Sequence, residues 1–524
     1  MLERKKQPIN DASLLVCSVF VLFVLVLIRS AWVSDDAYIT LRTVDNLYHG
    51  FGLTWNPGER VQTYTHPLWM FLIATVYFLE DNPYFILIGL PIVLTVISVY
   101  LLVKKTSLTY QNSMIGILLL LSSKAFIDFS TSGLENPLTH LIYIIFATIF
   151  LNRSKERSSV FILALTTSFG MLSRMDTFLL FIPAIIYIVL ENRSKREISF
   201  VILGFLPFIL WELFSLFYYG FLFPNTAYAK LNTGISSSLL AKQGILYVIN
   251  LLSRDPGSLF IIALGIYVSL KDKDWRKISL SIGMVLYLLY IIRIGGDFMS
   301  GRFFSILVIG AVIQIVSTEI SMRNSSYVFA TLVLFLIFIA TPEPPIMYNA
   351  GDYNKELGTM SIYNGIEDER SWYYHMTGLL TIPRTDPMPR MSWAALGIEA
   401  KEREYSVIDK GPVGVFGYYA GPSVHVVDWY ALGDPLLARL PVDNIKQWRI
   451  GHYFRSIPDG YLETLETKEN HIVDPNLSEY YEKLSVVIKG DLLDSKRFVE
   501  IWKVNTGYYQ PLLDAYLSNQ ANKE

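Results

Sequence analysis

Apolar runs punctuate the chain from about residue 14 to residue 341 and then stop. They fall at about 14–33, 83–103, 112–128, 137–151, 159–173, 177–190, 198–219, 257–270, 278–292, 303–320 and 327–341. Inside a bilayer every backbone polar group must be satisfied within the protein, so a chain built of such runs folds as a bundle of membrane helices. Composition agrees: 52% of the 524 residues are hydrophobic and 17% charged, with a mean hydropathy of +0.37. That is too apolar for an ordinary soluble chain of this length. The net charge of -2 gives no electrostatic footing for a nucleic-acid partner. The single cysteine, Cys17, lies in the first run, so neither an intrachain disulfide nor a thiol-metal framework is available. That run has no small-residue cleavage site after it and reads as an uncleaved signal anchor.

Several runs are shorter than the roughly 20 residues of a straight span, so their assignment rests on topology. Three basic residues, Arg4, Lys5 and Lys6, precede the first run and set the amino terminus in the cytoplasm. Counting eleven spans from there, Lys104 and Lys105, then Arg153, Lys155 and Arg157, then Arg193, Lys195 and Arg196, then Lys271, Lys273, Arg276 and Lys277, and finally Arg323 all fall inside. The stretch Pro67 to Leu79 fits an interfacial or re-entrant helix, because counting it as a span would move Lys104 and Lys105 outside. The expected fold is therefore a polytopic α-helical membrane protein of about 11 transmembrane helices, residues 1–341, with a first outer loop at 34–82. Residues 342–524, where Pro, Gly, Asp, Tyr and Trp mix, form an extracytoplasmic α+β domain. The strand-like runs in it are YSVIDK, VGVFGYYAG, VHVVDWYAL and SVVIKG.

With this topology the unusual polar residues collect on the outer face. The first loop opens on two adjacent carboxylates, Asp35 and Asp36, and also holds Arg42, Asp45, His49, Glu59, Arg60, Tyr64 and His66. Later loops bring Asp128 and Glu135, Arg174 and Asp176, Asn225, Tyr228 and Lys230, and Arg293, Asp297 and Arg302. Adjacent carboxylates at a membrane surface suit group transfer from a lipid-borne phosphate. One carboxylate takes the acceptor's proton, and cations such as Arg174, Lys230, Arg293 and Arg302 hold the departing phosphate. His66 would help position phosphate or sugar. Each residue alone also has a plainer reading: the Asp pair as a solvated loop end, the arginines as snorkelling anchors, Glu135 as a helix starter ahead of Pro137. Asp35 and Asp36 could also hold a divalent cation against a phosphate. No tight metal-ligand spacing and no nucleotide-binding GxxxxGKS loop occur.

The strings DDAYITLRTVDNLYHGFGLTWNPGERVQTYTHPLWM, TSGLENPL, SRMD, PNTAYAK, GGDFMSGRF and DWYALGDPLLARLP together resemble the integral-membrane GT-C glycosyltransferases, nearest the branch of the mycobacterial terminal arabinofuranosyltransferase. The likeness runs with gaps from about residue 30 to residue 460. It implies a GT-C module in the bacterial cytoplasmic membrane that takes a sugar from a polyprenyl-phosphate donor on the outer face and passes it to a cell-envelope glycan. An essential Asp of the first outer loop maps onto Asp35 or Asp36, and Glu135, Asn225 and Asp297 fall near the site. Met175 stands where many relatives carry proline, leaving Arg174 and Asp176 in place. The branch name suggests arabinofuranose without fixing the sugar. The outer domain would then meet the acceptor, through Asp428, Trp429 and His452. Two other classes fit a polytopic chain of this kind: a flippase for lipid-linked glycans, which should carry charge at the midplane and repeated halves, and a non-catalytic envelope assembly protein.

Overall fold

The computed structural model describes residues 11–80, 82–153, 158–192, 195–319, 344–345, 363–445 and 447–521. The last expected span, 327–341, the boundary at 341/342, and Arg4, Lys5, Lys6, Lys155, Arg157, Arg193 and Arg323 lie outside the described residues. The chain is mostly helical and divides into two compact units. One takes Met1–Ser34, His66–Phe208 and Ser236–Thr385; the other takes Asp35–Thr65, Ile209–Ile235 and Asp386–Glu524.

The first unit holds most of the apolar helices. Three stretches, Ser13–Ser30, Pro83–Thr106 and Trp275–Ile294, are long and apolar enough to cross a membrane. Two bent pairs pass the same test together: Glu197–Gly204 with Leu206–Tyr218, broken by 46°, and Ser237–Arg254 with Pro256–Asp272, broken by 107°. Proline explains both breaks, since Pro207 and Pro256 can start a helix but cannot continue one. Asp255 caps the second member by accepting from the Ser258 amide. Shorter apolar helices among the described residues include Pro67–Leu79, Tyr110–Ser122, Asn136–Leu151, Ser159–Ser173 and Phe304–Val316. Pro67–Val76 runs into a 3-10 turn at Tyr77–Leu79, giving a short helix where an interfacial one was expected. The helix Ser237–Arg254 occupies a stretch read from sequence as part of an outer loop. Two expected cytoplasmic loops meet: Arg276 donates to the carbonyls of Leu151 and Arg153, both at 3.3 Å.

In the second unit, two of the four strand-like runs are strands. Val407–Lys410 and His425–Asp428 pair in parallel, Val407 opposite His425 and Lys410 opposite Asp428. The other two are helical: VGVFGYYAG contains the helix Gly414–Ala420, and SVVIKG is the last turn of Pro475–Lys489. The second case follows from period. Leu477, Tyr480, Tyr481, Leu484, Val487 and Ile488 recur at helical spacing and all are buried in the core of this unit. The expected first outer loop is also partly helical: Asp35–Tyr48 forms a 14-residue helix with both carboxylates in its first turn, where they complement the helix dipole.

Candidate active site

In the first unit, four segments far apart in sequence converge on one buried carboxylate. Glu135 directly precedes the helix Asn136–Leu151, with proline in its first turn, but its side chain caps no backbone amide there. It receives Arg174 Nη1 at 2.8 Å on Oε1, Arg302 Nη2 at 3.2 Å and 3.3 Å on its two oxygens, and His66 Nδ1 at 3.5 Å. Arg174 also forks onto Asp176, at 3.1 Å and 2.6 Å, and Arg302 reaches Asp297 at 3.5 Å. The Arg174 guanidinium lies 4.5 Å over the Phe303 ring. Sequence reading placed His66, Glu135, Arg174, Asp176, Asp297 and Arg302 in one site, and the structure brings these six together.

Local geometry explains how. SRMD keeps its turn without the proline: a 3-10 turn at Met175–Thr177 follows Arg174, whose amide bonds the Gly170 carbonyl at 2.8 Å. The GGDFMSG turn needs left-handed backbone at Gly295, Gly296 and Gly301, with φ of 92°, 72° and 80°. At Gly296 an added Cβ would come within 2.5 Å of the Tyr247 ring, and the Tyr247 hydroxyl in turn ties Met299 at 2.8 Å. Beneath Arg302 lies a floor that the sequence reading missed. Ser305 Oγ donates to the Arg302 carbonyl at 2.8 Å and is met by Asn136 Nδ2 and His140 Nε2, each at 3.1 Å. The signal was present, since Asn136 and His140 sit four apart on the helix that Glu135 begins.

Electrostatics follow the geometry. Burial opposes ionisation of Glu135, but Arg302, Arg174 and His66 outweigh it and hold the carboxyl well below the usual range. Burial pushes His66 down to about 4, with Arg302 and Arg174 adding to the effect against Glu135, so its imidazole is neutral at pH 7. Asp176 and Asp297 complete a set of three carboxylates against two guanidiniums. Another buried network in the same unit pairs Asp128 with Lys124 at 2.7 Å and Arg370 at 2.6 Å, and Lys124 with Asp368 at 3.0 Å.

The other candidates, Arg293 apart, lie in the second unit. Asp35 is buried and gives both oxygens to the first turn of Gly414–Ala420, accepting from Gly414 N at 3.1 Å and Val415 N at 2.7 Å. Burial, with Asp36 adjacent, raises its carboxyl to about 7 against those amides. Asp36 is half-buried. Each Asp35 oxygen thus accepts one backbone N–H bond. Among the described residues no group of three His, Cys, Asp or Glu is placed to hold a metal ion. Arg42 is a buried hub: it donates to the carbonyls of Trp55, Gly417 and Val424 and to Asn56, and lies 4.6 Å over the Trp55 ring. Tyr64 bonds the Tyr219 hydroxyl at 2.7 Å.

Asn225 donates to the carbonyls of Ala431, Leu432 and Asp434. Asp428 holds the same turn by accepting from the amides of Tyr430, Leu432 and Gly433. Trp429 is half-buried and donates to Asp409 at 2.9 Å. His452 packs edge-on to Tyr430, centroids 4.9 Å apart. Lys230 and Arg293 are exposed, in the last turns of Asn225–Leu231 and Trp275–Ile294.

No protein-family model matches the chain. Over 522 residues it is 27% identical to a protein of Mycobacterium tuberculosis named terminal beta-(1->2)-arabinofuranosyltransferase, covering 82% of this chain and 81% of that one. A Corynebacterium glutamicum protein of the same name is 27% identical over 324 residues, 52% of this chain and 46% of that one. A solved archaeal oligosaccharyltransferase from Archaeoglobus fulgidus, in complex with an inhibitory peptide and a dolichol-phosphate, superposes with a TM-score of 0.48 at 14% identity, covering 92% of this chain and 72% of that one. The two curated relatives bear out the motif-based expectation: this is a chain of the glycosyltransferase class, related to the terminal arabinofuranosyltransferases. Its long apolar helices give it a membrane location.

Proposed function

We propose that the chain moves a sugar, arabinofuranose by analogy with its relatives' name, from a polyprenyl-phosphate donor to a glycan acceptor of the bacterial envelope, on the outer face of the cytoplasmic membrane. The observation that carries this reading is the convergence of Arg174, Arg302 and His66 on buried Glu135. Fixed guanidiniums in a water-poor site are the preorganised charge that a departing phosphate needs. In the reaction the anomeric carbon's bond to the phosphate oxygen breaks and a bond to the acceptor oxygen forms. The acceptor's proton passes to a carboxylate, and Asp36 is our choice because Asp35 is committed to the Gly414 and Val415 amides. Asp35 then acts by positioning the helix turn it joins. Trp429 and His452, beside the turn that Asp428 and Asn225 build, would meet the acceptor.

The phosphate must be reconciled with a cluster carrying three carboxylates and two guanidiniums. Transfer turns a phosphodiester with one charge into a monoester carrying up to about two near neutral pH. Neutral His66 can take a proton from solvent as that charge develops, which offsets it. The test is transfer by purified protein from a panel of radiolabelled polyprenyl-phosphate sugars to envelope glycan acceptors, alongside Asp36→Asn and Asp35→Asn. Transfer abolished in Asp36→Asn supports the reading. Lipid-linked glycan crossing vesicles without any transfer would replace it with a transporter.

A further inference from the structure

The helix Leu206–Tyr218 carries an exposed apolar stripe at Leu206, Leu210, Leu213 and Phe217, spaced as one helical face. As the second member of a bent pair it is apolar enough to cross a membrane, so this stripe faces lipid. Near its end the stripe does not stop. The Phe217 ring meets Phe498, centroids 6.3 Å apart, in the helix Ser495–Asn505. That helix buries Arg497 and Ile501 against its own unit and turns Phe498, Val499 and Trp502 outward, Trp502 at 64% exposure. Leu493, just before it, is 82% exposed. The join is firm: Arg497 donates to the carbonyls of Phe217 and Tyr218 at 2.7 Å and 2.9 Å, and Asn505 to that of Gly220 at 2.8 Å.

A row of Phe, Val and Trp open to water is unfavourable, and contiguous patches of this kind mark contact surfaces. Here the neighbouring surface identifies the contact. A helix clamped by two hydrogen bonds to the last carbonyls of a membrane helix lies at the membrane boundary. Trp is enriched there, Phe is among the apolar residues of interfacial helices, and exposed Lys496 can extend toward the headgroups.

We propose that the Ser495–Asn505 helix lies in the interfacial zone of the bilayer, with Phe498, Val499, Trp502 and the adjacent Leu493 at the boundary between headgroups and hydrocarbon. The carboxy-terminal part of the chain is thereby docked on the membrane surface.

The test uses the full chain in nanodiscs on a Cys17→Ser background, with a nitroxide at Val499→Cys, at Trp502→Cys, or at Glu482→Cys on a polar helix face of the same unit. Power saturation compares collision with oxygen, which concentrates in lipid, and with a nickel chelate, which stays in water. Oxygen should exceed the chelate severalfold at 499 and 502, and the order should reverse at 482. Chelate-dominated relaxation at 499 and 502 would overturn the proposal. So would dipolar broadening at 502 that disappears on dilution with unlabelled protein, which would assign the face to a second copy of the chain.

Discussion

Glu135 stands where a helix dipole alone would favour a carboxylate, yet its side chain bonds no helix amide and instead holds two arginines. Its loss should therefore cost far more than a cap. Glu135→Ala leaves Arg174 and Arg302 short of a counter-charge in a buried site, and removal of one partner from such a pair typically costs about 3–5 kcal/mol. A clear fall in thermal midpoint in detergent should register it, whereas an unchanged midpoint would show that the cluster is solvated. His66 contributes to the pH dependence. Its folded value of about 4 lies below the ordinary 6.5, so between these values the unfolded chain binds the proton and the folded chain does not. Stability from this residue is present above about pH 6.5 and is lost as pH falls toward 4. His66→Gln should flatten the acid side of the midpoint-versus-pH curve. At the second pair of carboxylates, Asp36→Asn should lower kcat by about 100-fold or more, the usual contribution of a general base, with Asp35→Asn affecting it less. An equal loss in both would make the two carboxylates one functional unit.

At the scale of elements, what could be read from sequence divided according to where the determining contacts lie. His66, Glu135, Arg174, Asp176, Asp297 and Arg302 were legible as one candidate cluster because polar groups between apolar runs are rare and each sits in a turn with its own chemistry. The Asn136, His140 and Ser305 floor was not singled out: the four-residue spacing of Asn136 and His140 was there to read, but Ser305 joins them only once the helices are packed. The run VGVFGYYAG is rich in strand-forming residues, and its helix gains support from a partner some 380 positions away, the Asp35 carboxylate on its first amides. Gly414 permits that approach, since a Cβ there would come within 1.9 Å of the Asp35 carbonyl oxygen. Gly414→Ala should therefore lower the thermal midpoint and reduce transfer together. Retention of both would mean that the helix can shift away from Asp35 at little cost. SVVIKG was a different kind of miss, because the helical period over residues 477–488 was available to a longer window.

For the whole molecule, length and charge give two views of the same membrane topology. Among the described residues three helices are long and apolar enough to cross, or five if each bent pair is one span, with shorter apolar helices beside them. By charge, an eleven-span reading puts every basic cluster between helices on the cytoplasmic side, and the bonds from Arg276 to the carbonyls of Leu151 and Arg153 join two of those clusters at one end of their unit. A short helix can cross when it lies within a packed bundle, so length does not decide the count. Accessibility does. With Cys17→Ser as background, single cysteines at Lys104, Asn152 and Lys273 should resist a membrane-impermeant maleimide in intact cells and react after permeabilisation. Cysteines at Tyr48, Asp443 and Glu482 should react at once. Labelling of Lys104→Cys from outside would turn Pro67–Leu79 into a span and reverse the side of the loops that follow, although Glu135, Arg174 and Arg302 would still share one end. Labelling of neither Tyr48→Cys nor Asp443→Cys in intact cells would put both on the cytoplasmic side. Transfer on the outer face would then have to be abandoned, because Asp36 and the turn bearing Trp429 belong to the same compact unit as those two positions.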